Sequence, residues 1–391
     1  MKNLRFKTLA IATAFAAIAS TSVLHADEVK LPKNISWTSL TNTSSAYAQS
    51  VAIGQMLEKN YGTSLRIIPG NNDVARLVPL RKKQSDICAC GSTALFAQEG
   101  VQAFGNKKWG PVRVFNLFNN LTTTIGQGLV TTKDSGIKSL KDYRGKRIVY
   151  IKGAPAQNLN AEALLAFAGM TWSDVDQIVV PGWKQAADAI VNGQADAMWG
   201  STVTSAFNQI AASPRGIFWV SIPHSDEAGW KRARAVQPLW TKSFVEQGIE
   251  VASNSQGKVP FEGMNYPYPI FVGTENLTDD VAYGLTKAVM ENYDDIKDGA
   301  PSMAGYQLAS QPLEFVFPFH PGAIKYFREK GLWTQKHDEH NARNIKRADV
   351  LQAAWAKMDM SLEDEAFVAA WKKTRASALE EAGFDVPFRD W

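Results

Sequence analysis

The sequence predicts an α/β fold of about two lobes, each built on a largely parallel sheet. Two observations carry this prediction. Strand, polar loop and helix signals follow one another three times between Ile35 and Glu99, and the same alternation resumes at Arg147. The chain is also 391 residues long, 45% hydrophobic and 20% charged, which is enough to bury a core in each of two lobes. In such sheets the loops that follow the strands gather at one edge, and ligands bind there.

Residues 1–26 stand apart from the rest. Lys2, Arg5 and Lys7 precede an apolar run from Leu9 to Ala19, with small residues before Ala26, the pattern of a cleaved secretory signal peptide. No later segment approaches ~20 uninterrupted apolar residues, so a soluble mature protein is expected. Cleavage would remove three of 42 basic residues and none of 38 acidic ones, leaving a net charge of +1. A nearly neutral surface gives no support for nucleic-acid binding, which needs a clustered basic face.

The segment Ile35–Gly54, ISWTSLTNTSSAYAQSVAIG, reads as strand, loop and helix. Its loop is a dense run of hydroxyls and an amide at the start of the helix. Two readings stand there, helix capping by Ser or Thr, and contact with an anion at the unpaired N–H groups. Strand SLRIIP leads to the loop Gly70, Asn71, Asn72, Asp73, with Asn72 or Asp73 as cap of a helix that Pro79 kinks or ends. Strand Asp86–Cys90 leads to Gly91, Ser92 and Thr93. Cys88 and Cys90 fall on one face of that strand; two buried thiols are expected, since a bond between such near neighbours would be strained.

TIGQGLVTT reads as a strand leaving the first lobe, and GIKSLKDYRGKRIVY opens the second. Its strand feeds Gly153 to Asn158, with Pro155 favourable at a helix start. A strand to Val180, a helix after Trp183 and strand Asp196–Trp199 follow, and Gly200, Ser201 and Thr202 repeat the small polar loop. PYPIFVGT returns toward the first lobe, and Asn254–Phe261 is the best linker by composition. From Lys336 the chain becomes charged and helical, with two helices joined near Met360 to Asp364.

Motifs for hydrolase elbows, phosphate loops, dinucleotide folds and zinc proteases are missing from the sequence. No pair of carboxylates is nominated as acid and base, and His320, between two prolines, reads as a turn residue. No catalytic residue, metal site or cofactor is therefore predicted. His337 and His340 read as a solvated helix face. Trp183 and Trp199 lie beside loops of the predicted edge and are candidates to touch ligand.

Four stretches then give a family resemblance: GIKSLKDYRGKRI, NGQADAMWGST, ENLTDDVAYGLTKAVMENYDDI and HPGAIKYFREKGLW. The chain resembles the TAXI family of solute receptors that serve TRAP transporters. The resemblance implies a two-lobed periplasmic binding protein of type II topology, a ligand held between the lobes, and delivery to TRAP membrane permease subunits driven by an ion gradient. The lobes are placed at residues 27–128 and 129–253, with 254–335 returning to the first lobe through a hinge and 336–391 forming a helical C-terminal extension. Hinge motion is expected near Gln127–Val130 and Ile270–Gly273.

The expected ligand is a small organic solute, with a carboxylate as the favoured group. Lobe one offers Thr41, Asn42, Thr43, Ser44 and Tyr47 from the first loop, Asn72, Asp73 and Arg76 from the second, and Ser92 and Thr93 from the third. Lobe two offers Gln157, Asn158, Trp183, Trp199, Ser201 and Thr202. Hydroxyls, amides and helix N-termini suit an anion, and Arg76 is either its bidentate partner or a surface helix charge. Asp73 is either a helix cap or the partner of an amine. The first loop lacks the glycines usual in the family, Ala154 to Gln157 replace a glycine, serine, glycine, threonine run, and Arg76 stands where Asn is typical. A receptor for an ABC importer, a membrane sensor and a secreted two-lobed enzyme are the competing readings.

Overall fold

The computed structural model describes residues 29–254, 259–389 and 391. The signal peptide read at 1–26 and the middle of the linker read at 254–261 lie outside the described residues. The first half of the chain runs β1 (Asn34–Ser39), α1 (Ser45–Tyr61), β2 (Ser64–Pro69), α2 (Asp73–Arg81), β3 (Ile87–Cys90), α3 (Thr93–Glu99) and β4 (Phe115–Asn119). Next come β5 (Gln127–Thr131), β6 (Arg147–Ile151), α4 (Pro155–Phe167), β7 (Asp176–Val180), α5 (Trp183–Val191), β8 (Ala197–Ser201), α6 (Phe207–Ala212) and β9 (Phe218–Trp219). They are followed by α7 (Glu227–Val236), β10 (Thr241–Val245), α8 (Val251–Asn254) and β11 (Phe261–Asn265). The last part holds β12 (Ile270–Gly273), α9 (Asp279–Glu291), α10 (Tyr293–Ile296), α11 (Pro321–Glu329), α12 (Gln335–Trp355) and α13 (Asp364–Glu381).

These strands form two sheets, and the sheets share one wiring rule. In the first the order is β2-β1-β3-β12-β4, with β1, β2 and β3 parallel and β12 antiparallel to its neighbours. The second runs β10-β11-β5-β8-β6-β7, where β6 is parallel to β7 and β8, and β5 is antiparallel to β8. In each lobe the order second, first, third strand is followed by one antiparallel strand that arrives from a crossing segment. This is the two-lobed type II topology of periplasmic binding proteins, with a helical C-terminal segment added. The chain crosses between sheets twice, at 120–126 and at 266–269. The crossings are sewn together: Tyr268 N donates to Asn120 O at 2.8 Å, Asn120 N to Pro269 O at 2.9 Å, and Asn265 Nδ2 to Thr122 O at 2.6 Å.

Burial explains the sequence patterns. All four residues of β3 are buried, as expected for a strand covered on both faces. Around it Phe271 stacks on Phe118 at 4.5 Å and meets the edge of Trp37 at 5.2 Å. The expectation of two free thiols is corrected, because Cys88 and Cys90 are joined as a disulfide. Their Cα atoms are 5.2 Å apart, inside the range that a disulfide spans, and the two-residue strand period puts both sulfurs on one side.

The motifs that gave the resemblance are mostly fastenings of the scaffold. In HPGAIKYFREKGLW, His320 caps α11 by accepting from Gly322 N at 3.3 Å, while its Nε2 donates to Leu277 O at 3.0 Å. Gly322 lets α11 lie against α9, since a Cβ there would sit 2.1 Å from Asp279 O. In NGQADAMWGST, Asp196 binds Arg147 at 2.6 Å and Arg215 at 3.1 Å, pinning the starts of β6 and β8 at the edge away from the cleft.

His320 yields a pH prediction. Burial holds its pKa below the ordinary histidine value, against the opposing pull of the Leu277 carbonyl and of Asp279. A group with a lowered folded-state pKa supports folding above its unfolded pKa of about 6.5 and withdraws that support as pH falls from there toward the folded value. Urea unfolding should show stability falling between neutral pH and pH ~5. The fall should be smaller in His320→Asn, which retains a capping acceptor.

Candidate functional site

Where the two lobes face each other, the loops after β1, β2, β6, β7 and β8 meet. The lobes are in direct contact. Asp73 Oδ2 accepts from Ala156 N at 2.9 Å, Ser205 Oγ donates to Thr43 O at 2.6 Å, and Val74 N donates to Gly153 O at 3.3 Å. Between them lies a small cavity, in which the centre of a water molecule has only about 20 Å³ of room. Ser44, Ser45, Gln127, Gln157, Trp183 and Trp199 line it, together with Leu40, Gly200, Ser201, Thr204, Tyr266 and Tyr268. None of these side chains carries a formal charge at neutral pH.

Local structure fixes each group. Ser44 is the N-cap of α1 and accepts from Tyr47 N at 3.2 Å, which leaves its neighbour Ser45 to face the cavity. Trp183 opens α5 with Gly182 before it, and its ring packs over β8 because Gly200 has no side chain. A Cβ at Gly200 would lie 2.3 Å from Phe207 and 3.2 Å from the Trp183 ring. Trp199 stacks on Trp240 with centroids 5.6 Å apart, so it forms a wall held from behind.

Three polar atoms in the cavity lining are buried without a hydrogen-bond partner among the described residues: Trp183 Nε1, Gln157 Oε1 and Ser201 Oγ. An unsatisfied buried donor or acceptor costs about 1–3 kcal/mol, so three of them on residues around one cavity make it the candidate ligand site. Chemically the set offers one obligate donor, one acceptor and one hydroxyl that does either.

Beside this cavity sits the ion pair Asp73–Arg76, completely buried at 2.6 Å. The Arg76 guanidinium also donates to Ala89 O at 3.4 Å and to Thr93 Oγ1 at 3.3 Å. Burial acts to lower its pKa, but Asp73 and Tyr268 more than offset this and hold it above the ordinary value. Tyr268 in turn is pushed up, by burial first, with Arg76 opposing.

The residues read from the sequence divide accordingly. Ser44, Gln157, Trp183, Trp199 and Ser201 line the cavity. Thr41, Asn42, Thr43 and Tyr47 are at least partly exposed and outside its lining, as is Asn72, which caps α2 by accepting from Ala75 N. Asp73, Arg76, Ser92 and Thr93 lie buried behind it rather than on its wall. Asn158 is spent on Ile151, bonding both its N–H and its carbonyl, and Thr202 Oγ1 bridges Gly126 N and Gln247 O. Arg76 is thus neither a surface charge nor a group facing the cavity. Tyr266 and Tyr268 had no site signal in the sequence beyond their place in the crossing segment NYPYPI.

A family model described as the NMT1-like family matches residues 40–331, which takes in both crossings and every strand of the two sheets except β1. The chain belongs to the NMT1-like family. Solved structures similar to this NMT1-like chain include the alkanesulfonate-binding protein SsuA from Xanthomonas axonopodis pv. citri bound to MOPS, at 15% identity and TM-score 0.38, covering 78% of this chain and 96% of that one. Another is the amino acid ABC transporter substrate-binding protein AbpA from Streptococcus pneumoniae bound to L-arginine, at 12% identity and TM-score 0.39, covering 70% and 96%. A chain from the glutathione import study of Streptococcus mutans has 11% identity and TM-score 0.42, covering 68% and 91%. Among the described residues of the NMT1-like chain, no helix is long and apolar enough to cross a membrane, and no group of three or more His, Cys, Asp or Glu could hold a metal ion.

Proposed function

We propose that this protein is an extracytoplasmic receptor that binds a small solute between its lobes and hands it to a membrane permease. The observation that carries the reading is the trio of orphaned polar atoms on Trp183, Gln157 and Ser201, three residues that line one interlobe cavity. Both crossing segments run beside the cavity, so rotation about them opens and closes it. A solute that makes its bonds only in the closed form shifts the population toward that form, and the closed surface is what a permease reads. The signal-like residues 1–26 support export to the periplasm, and the motifs shared with the TAXI family support a TRAP permease as partner.

The test is uptake by cells or vesicles that hold this receptor and the permease encoded beside it. Collapse of the ion gradient with ATP intact should stop uptake. Uptake that survives this and stops when ATP is depleted would assign the receptor to an ABC importer instead. Conversion of the bound solute into a product by the purified protein would revive the enzyme reading.

A further inference from the structure

The sequence suggests a carboxylate-bearing ligand, yet the structure supplies a carboxylate of its own. Asp73 Oδ1 receives Arg76 Nη2 at 2.6 Å, and Asp73 Oδ2 receives Ala156 N at 2.9 Å from the first turn of α4 in the opposite lobe. A buried guanidinium on one lobe and a helix N-terminus on the other are what an anionic ligand group needs in order to hold two lobes together. Here that seat is filled, and the charge on Arg76 is already balanced inside the protein. Next to the seat, the cavity has no charged lining residue, and its three orphaned atoms are a neutral N–H, a neutral C=O and a hydroxyl. A second anion brought there would meet Asp73 close by and would find no unpaired cation to compensate its lost hydration.

We propose that Asp73 is a built-in substitute for the anionic group of a ligand, and that the solute taken by the adjoining cavity is a small, uncharged polar molecule with both donor and acceptor groups. This rests on the receptor reading for the cavity; the Asp73 seat itself does not. Trp183 Nε1 donates to the solute, Gln157 Oε1 accepts from it, and Ser201 completes the set. Trp199 and the two tyrosines of the crossing segment shape the walls.

Chemical rescue tests the seat. In the full-length mature protein, Asp73→Ala empties it, and acetate or formate should then raise the melting temperature by several degrees over chloride at equal ionic strength, with no such difference in the wild type. Adding Arg76→Met should abolish the rescue. If Asp73→Ala does not fold in chloride, refolding in acetate reads the same contrast: recovery of the native circular dichroism supports the seat, and failure in both salts overturns it. Equal acetate stabilisation of wild type and variant also overturns it.

The solute class is tested on the wild type with matched probes, acetamide against acetate and lactamide against lactate. Neutral probes alone should stabilise the protein. Carboxylates that bind the wild type would overturn the inference and leave the receptor reading intact. Acetate rescue of Asp73→Ala in a protein that binds no solute would support the seat and count against the receptor.

Discussion

Replacing Glu99 with alanine is expected to cost about 3–5 kcal/mol, the loss seen when one partner is removed from a buried charge network. Glu99 is the last residue of α3 and is buried. Arg347 of α12 grips its carboxylate at 2.6 and 2.8 Å, and Arg375 of α13 binds both its carboxylate and, at 3.0 Å, its backbone carbonyl. Trp371 Nε1 donates to Gly100 O at 2.6 Å just beyond. One acidic residue of the first lobe therefore holds both helices of the C-terminal hairpin. Burial presses the Arg375 pKa below its ordinary value and Glu99 opposes this, so in Glu99→Ala the guanidinium is left buried and uncompensated. Hydrogen exchange should show α12 and α13 losing protection by that amount, while β6 to β8 of the second lobe keep theirs. A change below ~1 kcal/mol would mean that the hairpin docks through its apolar face alone.

The second large effect is on binding. Trp183→Phe keeps the ring beside Phe207 and removes the orphaned N–H, and Ser201→Ala removes the orphaned hydroxyl. Each deletion takes about 0.5–1.5 kcal/mol of hydrogen bonding from the bound state, so the double variant should bind the solute about 5–150-fold more weakly. Solute-free stability should move the other way. Both groups are buried without a partner when no ligand is present, so deleting them leaves it unchanged or slightly raises it. Calorimetric titration together with urea unfolding separates these effects. Loss of affinity along with loss of stability would show that the two residues serve the fold and not the ligand.

Much of the fold could be read from the sequence because it is written in local patterns. The alternation of strand, polar loop and helix is a matter of periodicity and capping, and Ser44 and Thr278 cap their helices through bonds to the third residue on. The family motifs are legible for the same reason: His320, Gly322 and Asp196 fasten neighbouring elements together. The site was only half legible. Polar loops announce which edge of a sheet faces the cleft, but not which side chains are consumed by contacts from elsewhere. Asn158 and Thr202 look like ligand groups and are spent on backbone, while Arg76 is neutralised by a carboxylate three residues earlier. The spacing of Asp73 and Arg76 was visible on the helix; that Tyr268, nearly two hundred residues later, hydrogen-bonds the buried Arg76 was not. The two helices of the tail were legible as helices, but their docking was not, since they hold to Glu99, a residue that by itself reads as a surface charge.

Solute is expected to bind in the cavity between the lobes that Trp183, Gln157 and Ser201 line. Mass spectrometry of the intact, undenatured protein tests this directly, comparing wild type with the Trp183→Phe, Ser201→Ala double variant after identical purification. The prediction is one small molecule per wild-type chain, and its loss from the variant. Equal occupancy by the same molecule in both proteins would place the binding site elsewhere and contradict the account.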